Sequence, residues 1–324
     1  MSAESAIRVG FIVGPTGAGK SALALELAAR LQAEIVNADS RQVYRGLDIG
    51  TAKPSDEDRR RVPHHLIDVR APDDPLDVAG FLGLARAAIA DIAARGRPPL
   101  IVGGSGFYLR VLRGGIFAGP TASSTIREEL AAVAAERGVE YLHARLAEAD
   151  PEGARRIGHH DLYRITRALE VYRLTGESIT AHQERHRFAA REYDTLTIGL
   201  ATERKRLYEA IDRRFDEMIA NGLVDEVRGL LAAGCDPGQS PLRTVGYRQI
   251  AAALRGEMAM AEAIALGKRD TRRLAKRQLT WFRADSEIIW VDAERGLEEA
   301  YELLSAFFAG EPVGNFARAA SANV

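Results

Sequence analysis

Residues 7–31 read IRVGFIVGPTGAGKSALALELAARL. The apolar run Val9–Val13 ends in a glycine-rich turn, and the turn opens onto Leu23, Leu27 and Leu31 at four-residue spacing. That is the pattern of a buried strand, a tight loop and a helix with one apolar stripe. Within the turn, Gly14-Pro15-Thr16-Gly17-Ala18-Gly19-Lys20-Ser21 satisfies the Walker A pattern in full. It sits in the strand-to-helix context that gives the pattern its meaning. Glycines let backbone N–H groups converge on phosphate oxygens, and the helix N-terminus adds the positive end of its dipole. Lys20 supplies a point charge, and the Ser21 hydroxyl is the expected Mg²⁺ ligand. The motif asks for a polyphosphate. It does not choose between ATP and another diphosphate.

Outward from this loop, short apolar runs alternate with longer helical patterns, which predicts an α/β fold: a P-loop NTPase-like parallel sheet flanked by helices. The expected strands are Val9–Val13, Glu34–Asn37, Leu66–Val69, Pro99–Val102, Leu196–Leu200 and Ile288–Val291. From Ser123 to Arg191 the texture changes. TIREELAAVAAERGVEYLHARLAEADP reads as two helices split at Gly138, without a strand-like run. We therefore expect a core in two parts, 1–122 and 192–313, around an all-helical insertion domain at 123–191. Residues 314–324 have little apolar content and are expected to form a disordered tail.

The chain has 324 residues, 46% hydrophobic and 27% charged, with formal net charge −1. This is a soluble globular composition with no overall basic footprint, so any contact with nucleic acid must be local. A single cysteine, Cys235, excludes an internal disulfide framework and fits a reducing compartment. No stretch approaches the roughly 20 apolar residues of a membrane helix, and no signal peptide is evident. A cytoplasmic protein is expected, and nothing requires more than a monomer.

The second acidic strand of a motor or switch NTPase is missing. Its nearest candidate is the short run His65-Leu66-Ile67-Asp68. Elsewhere, two further loops are expected at strand ends. EIVNADSRQVYRGLDIGTAKP releases Asp39, Ser40, Arg41 and Gln42 from the second strand. Ligands of open α/β sheets sit beyond the carboxyl ends of strands, so these side chains should face the phosphate loop. Asp39 is then a general base or a helix cap, and Gln42 could read a base edge. PPLIVGGSGFYLRVL places Ser105 among Gly103, Gly104 and Gly106. Its hydroxyl either meets the same phosphate or caps the following helix.

KRDTRRLAKRQLTWFRAD carries Lys268, Arg269, Arg272, Arg273, Lys276, Arg277 and Arg283 against Asp270 and Asp285, with Trp281 and Phe282 interleaved. A helix of this kind presents a positive stripe suited to backbone phosphates and unstacked bases. Core packing is the stronger reading of Trp281 itself. Upstream, LRTVGYRQ adds Arg243, Tyr247 and Arg248. His182 and His186 lie four apart without a third ligand, so they are read as structural or exposed rather than metal-binding.

Taken together and in order, GPTGAGKS, NADSRQVYRGLDIGTAKP, VPHHLIDV, PLIVGGSGFYLR, RITRALEVYRLTG, LRTVGYRQ and LAKRQLTWFR resemble the tRNA dimethylallyltransferase (tRNA isopentenyltransferase) family, bacterial type. The resemblance implies transfer of a dimethylallyl group from dimethylallyl diphosphate to N6 of the adenosine 3′ of the anticodon, within the anticodon stem-loop of tRNA. It implies that Gly14 and Thr16, Gly17, Ala18, Gly19, Lys20 and Ser21 bind the donor diphosphate with Mg²⁺ as cofactor. Asp39 takes the general-base position, and Asp39, Ser40, Arg41 and Gln42 line the adenine site. Ser105 stands where the family commonly has a threonine. Implied tRNA contacts are Arg127, Tyr163, Arg164, Arg167, Arg243, Thr244, Gly246, Tyr247, Arg248, Lys276, Arg277, Gln278, Trp281 and Arg283. The GHHD at 158–161 departs from the family's Pro-Asn-Asp-like turn. The rival readings are a small-molecule kinase, an RNA-binding NTPase and a transferase acting on free AMP or ADP.

Overall fold

The computed structural model describes residues 6–115, 119–120, 122–186, 192–236, 238 and 241–313. Along the chain run β1 (Arg8–Val13), α1 (Lys20–Leu31), β2 (Glu34–Asn37), α2 (Asp56–Arg61), β3 (His64–His65), α3 (Val78–Ala94), β4 (Pro99–Gly103) and α4 (Gly106–Gly114). Five helices follow: α5 (Ser124–Arg137), α6 (Val139–Ala149), α7 (Pro151–Arg156), α8 (Leu162–Thr175) and α9 (Ile179–His186). Then come β5 (Asp194–Ala201), α10 (Arg204–Ala220), α11 (Leu223–Ala232), α12 (Tyr247–Leu254), α13 (Met260–Arg283), β6 (Ile288–Asp292) and α14 (Leu297–Ala309).

One six-stranded sheet has the order β3-β2-β4-β1-β5-β6, and every pairing is parallel. All residues of β2 and β4 are buried, as is β1 after Arg8. Unbroken burial of Val, Ile and Leu along a strand is what a parallel sheet covered on both faces requires. The register places Val13 against Gly103 and Asn37 against Val102, so β2, β4 and β1 end at one level. The main core joins Ile12, Leu27, Leu100, Ile198, Leu303 and Leu304. The buried stripe of α1 is centred on Ala24, Leu27 and Ala28, with Leu23 and Leu31 at its margin.

The third strand differs from expectation. It is His64–His65, paired with Ile35 and Val36, and not Leu66–Val69. Leu66 and Asp68 have φ of 63° and 58°. Left-handed backbone breaks a strand, and a β-branched or bulky side chain there stores strain. The segment is held by the Asn37 amide, which donates to the Leu66 carbonyl at 3.2 Å.

Contacts divide the chain into two compact units, one of residues up to Leu112 together with those from Tyr193 on, the other Arg113–Glu192. The second unit is helical, with Leu130, Leu142, Leu146, Ile165 and Leu169 at its centre. Glu170 is completely buried in it, accepting from Ser123 N–H at 2.8 Å, from Arg127 at 2.9 and 3.1 Å and from Arg167 at 2.6 Å. The tail expected at 314–324 lies outside the described residues. No described helix is long and apolar enough to cross a membrane.

Candidate active site

The phosphate loop leaves β1 at Gly14 and enters α1 at Lys20. Gly17 and Gly19 both have φ of 85°, a conformation in which any side chain is strained. This path leaves the N–H groups of Gly17, Gly19, Lys20 and Ser21 without an acceptor in the described protein, all at the start of α1. Such a cluster of orphan donors is an anion site. Lys20 Nζ donates to the Pro15 carbonyl at 2.8 Å, holding the ammonium over the loop.

Two neighbouring strand ends complete the crevice. At β2, Asn37 Oδ1 accepts from the Asp39 N–H at 3.2 Å, and Asp39 Oδ1 accepts from the Arg41 N–H at 2.8 Å. Asp39 thus closes a turn within its own loop and does not cap a helix. At β4, a Cβ on Gly103 would collide with the backbone of Ala38, so glycine there permits the close approach of the two loops. Ser105 Oγ accepts from the Ser40 N–H at 3.3 Å, tying the catalytic candidates Asp39 and Ser105 to one place.

Two long-range contacts were invisible in the sequence. Arg214, on α10, donates to Thr16 Oγ1 at 2.8 Å. Gln278, on α13, accepts from the Thr16 N–H at 2.8 Å and donates to the Gly104 carbonyl at 2.9 Å. With its amide oxygen and one amide N–H engaged, Gln278 straps the phosphate loop to the Ser105 loop, a duty beyond the tRNA contact expected of it. The Lys20 ammonium is lowered from its ordinary 10.5 to about 8, chiefly by burial, with Asp39 opposing and Arg214 assisting. Burial likewise lowers Arg214, again opposed by Asp39. The charge of Asp39 therefore acts on both cations of the loop. Arg214 also borders a cleft of about 540 Å³ lined by Lys53, Arg59, Asp68 and Met218.

Other expected site residues have internal duties. The Gln42 side chain is buried, and its amide N–H groups donate to the carbonyls of Thr51 and Ala52 at 3.0 and 3.1 Å, so both donors serve the loop itself. Tyr247 is fully buried, its hydroxyl donating to Glu226 at 2.5 Å, which rules it out as a surface contact. Gly246 is the N-cap of α12, and the Thr244 hydroxyl donates to Pro241. Asp68, the nearest acidic-strand candidate, is paired with Lys53 and Arg59.

The basic helix is partly neutralised from across the fold. Lys268 pairs with Asp216 and Arg272 with Asp212, both on α10, while Arg248, Arg269 and Arg273 share Asp270. Among the described residues, Arg243, Lys276, Arg277 and Arg283 are exposed and have no acidic partner. Trp281 is half-buried, edge-on to the buried Phe282 at 5.2 Å and under Arg110 at 5.7 Å. In the helical unit, Arg127 and Arg167 are the clamps on Glu170. Arg164 pairs with Asp161, whereas Tyr163 is 76% exposed.

The Ser21 hydroxyl is exposed and has no hydrogen-bond partner among the described residues. No group of three or more His, Cys, Asp or Glu among the described residues could hold a metal. This donor set fits Mg²⁺ carried mainly by phosphate oxygens and water, with one hydroxyl from the protein.

A parallel sheet with a complete phosphate loop at its carboxyl edge, the Asp39 carboxylate acting on Lys20 and the Ser105 hydroxyl tied to the Asp39 loop form the site of a phosphate-loop enzyme of the group-transfer kind. The IPP transferase family model matches residues 42–285, and an isopentenyl transferase model matches residues 7–71. The chain is 53% identical over 292 residues to a tRNA dimethylallyltransferase of Geobacter metallireducens, covering 90% of this chain and 94% of the relative. It is 50% identical over 282 residues to one of Syntrophobacter fumaroxidans, covering 87% and 82%. Among solved structures, a tRNA isopentenylpyrophosphate transferase of Bacillus halodurans superposes with a TM-score of 0.70 at 38% identity, covering 94% and 97%. A eukaryotic dimethylallyltransferase acting on tRNA reaches 0.83 at 25% identity, covering 96% and 82%. The chain belongs to the IPP transferase family and is a prenyltransferase.

Proposed function

We propose that the chain transfers the dimethylallyl group of dimethylallyl diphosphate to N6 of the adenosine immediately 3′ of the anticodon in tRNA. The observation that carries this reading is the meeting of one carboxylate, Asp39, with the two loop cations, Lys20 and Arg214, at the edge shared by β1, β2 and β4. The N6 amine is a weak nucleophile because its lone pair is delocalised into the ring. As the N6–C bond forms and the allylic C–O bond breaks, Asp39 accepts the N6 proton and diphosphate departs. Negative charge grows on the diphosphate, where the loop N–H groups, Lys20 and Arg214 stand ready. Mg²⁺, when bound through Ser21, supplies further charge to the same oxygens. Ser105 orients the acceptor beside Asp39. The extruded base requires a few kcal/mol of unstacking. Phosphate contacts from Arg243, Lys276, Arg277 and Arg283 offset it.

The test is the mass of an unmodified tRNA, with adenosine 3′ of its anticodon, after incubation with enzyme, Mg²⁺ and dimethylallyl diphosphate without ATP. A gain of one C₅H₈ unit is expected. No gain, with ATP hydrolysed in a parallel reaction, would overturn the reading in favour of an NTPase.

A further inference from the structure

Between β2 and α2 the chain runs from Asp39 to Pro54 with no helix or named strand, yet this segment carries the acceptor side of the site. We infer that the Glu226 carboxylate, held by the Tyr247 hydroxyl, is the positioning group that fixes this loop and with it Asp39. The inference rests, for its catalytic consequence, on the transfer reaction proposed above.

Three successive backbone N–H groups converge on Glu226. Those of Asp48 and Ile49 donate to Oε2 at 2.9 and 2.7 Å, and that of Gly50 to Oε1 at 3.1 Å. Tyr247 donates to Oε1 at 2.5 Å. Burial first, and then the charge of Glu226, raise the phenol well above its ordinary value, so it remains a donor. A Cβ on Gly50 would collide with the Tyr247 ring, so loop and ring are in direct contact.

The hold passes from residues 48–50 to Asp39 in short steps. Thr51 Oγ1 donates to the Leu47 carbonyl at 2.6 Å, closing the turn that Glu226 grips. Gln42 reaches across to the carbonyls of Thr51 and Ala52. Beside Gln42, the Arg41 N–H holds the Asp39 carboxylate. None of these bonds involves the phosphate loop, which is braced separately by Arg214 and Gln278. Loss of the Glu226 grip should therefore loosen the base and leave the diphosphate site intact.

An amide cannot replace this carboxylate. Each oxygen accepts two hydrogen bonds, so Glu226→Gln turns one acceptor into a donor facing N–H groups. In the milder orientation Gly50 N–H still faces an NH₂, although Tyr247 can turn to accept. Tyr247→Phe is gentler, because it keeps the ring under Gly50 and removes one hydrogen bond.

The experiment uses full-length wild type, Glu226→Gln and Tyr247→Phe. It reads kcat with saturating tRNA and donor, the affinity for inorganic diphosphate with Mg²⁺, and amide exchange. We expect kcat to fall about tenfold or more in Glu226→Gln and about threefold in Tyr247→Phe, following the usual worth of one or two hydrogen bonds. Diphosphate affinity should stay within about twofold, and the amides of 48–50 should exchange about tenfold faster while those of 17–21 do not. An equal loss of diphosphate affinity would make the pair a general structural support and overturn the inference, as would an unchanged kcat. If wild type shows no transfer, the function proposed above fails. The clamp is then judged by exchange alone, and unchanged protection at 48–50 overturns it.

Discussion

Removing the charge of Lys20 tests the diphosphate assignment twice, by titration and by rate. Burial lowers this ammonium from 10.5 to about 8. A bound diphosphate favours the charged form, so donor affinity should be full below pH 8 and fall above it. Each unit above the free-protein value weakens binding about tenfold, or about 1.4 kcal/mol. From pH 7 to pH 9 the expected loss is therefore about tenfold. The assay is equilibrium binding of dimethylallyl diphosphate with Mg²⁺ and no tRNA, for wild type and Lys20→Met side by side. Ionisation of the donor is common to both and divides out, so the affinity ratio isolates Lys20. The ratio should fall about tenfold between pH 7 and pH 9. The same shift predicts the sign for the fold without ligand. Between pH 8 and 10.5 the unfolded chain holds a proton that the native one has released, so wild-type stability rises relative to Lys20→Met. In catalysis near neutral pH, Lys20→Ala should lower turnover by roughly 10²–10³, about 3–4 kcal/mol of leaving-group stabilisation. Parallel binding profiles for wild type and Lys20→Met, or unchanged turnover in Lys20→Ala, would refute the placement of the diphosphate on this loop.

Asp39→Asn should abolish transfer and leave tRNA affinity within about threefold, because an amide oxygen can still accept from the Arg41 N–H; a large loss of tRNA binding would make Asp39 structural. Alanine at Lys276, Arg277 or Arg283 should each reduce the salt dependence of tRNA binding by about one unit of slope. Arg272→Ala and Lys268→Ala should not, since these cations already pair with Asp212 and Asp216. Gln278→Leu should weaken the donor about tenfold, by orphaning the Thr16 N–H and the Gly104 carbonyl, with little change in tRNA affinity; the reverse split would make it chiefly an RNA contact. Burial opposes ionisation of Glu170, but the hydrogen bonds of Arg127, Arg167 and Ser123 outweigh it and hold its carboxyl below the usual range. The helical unit should accordingly lose stability as pH falls through that lowered range, and Glu170→Ala should remove about 1–3 kcal/mol in denaturant melts, a figure reduced for the partial exposure of both arginines.

What the sequence disclosed was local. The phosphate loop, the parallel strands and the split at Gly138 are written in contiguous residues, where periodicity and glycine placement speak directly. The third strand misled because Leu66–Val69 has the apolar content of a strand, whereas two left-handed residues hold it off the sheet. His64–His65 pairs instead because the edge of β2 lies open beside it. Arg214 and Gln278 act on Thr16 from 198 and 262 residues away, and no spacing rule reaches that far. The same distance conceals Asp212 and Asp216, which quench part of a helix whose own neighbours in sequence carry few acids. Tyr247 looked like a surface aromatic among arginines, and only the fold buries it against Glu226.

A phosphate loop that releases diphosphate to an organic acceptor has a different electrostatic task from one that feeds water to a nucleotide. Here the groups that must change charge together share one crevice. Before reaction, the negative charge of Asp39 offsets the fields of Lys20 and Arg214. If Asp39 takes the N6 proton as proposed, that offset vanishes, and both cations act undiminished on the departing diphosphate. On the proposed reaction, proton removal from the nucleophile and stabilisation of the leaving group are thus coupled through three side chains. The coupling has a consequence that a simple loss of the base does not share. Asp39→Asn, though inactive in transfer, should bind dimethylallyl diphosphate more tightly than wild type in the absence of tRNA, and the gain should shrink in an Asp39→Asn, Lys20→Met double variant. Equal or weaker donor binding in the single variant would show that Asp39 and the loop cations act independently.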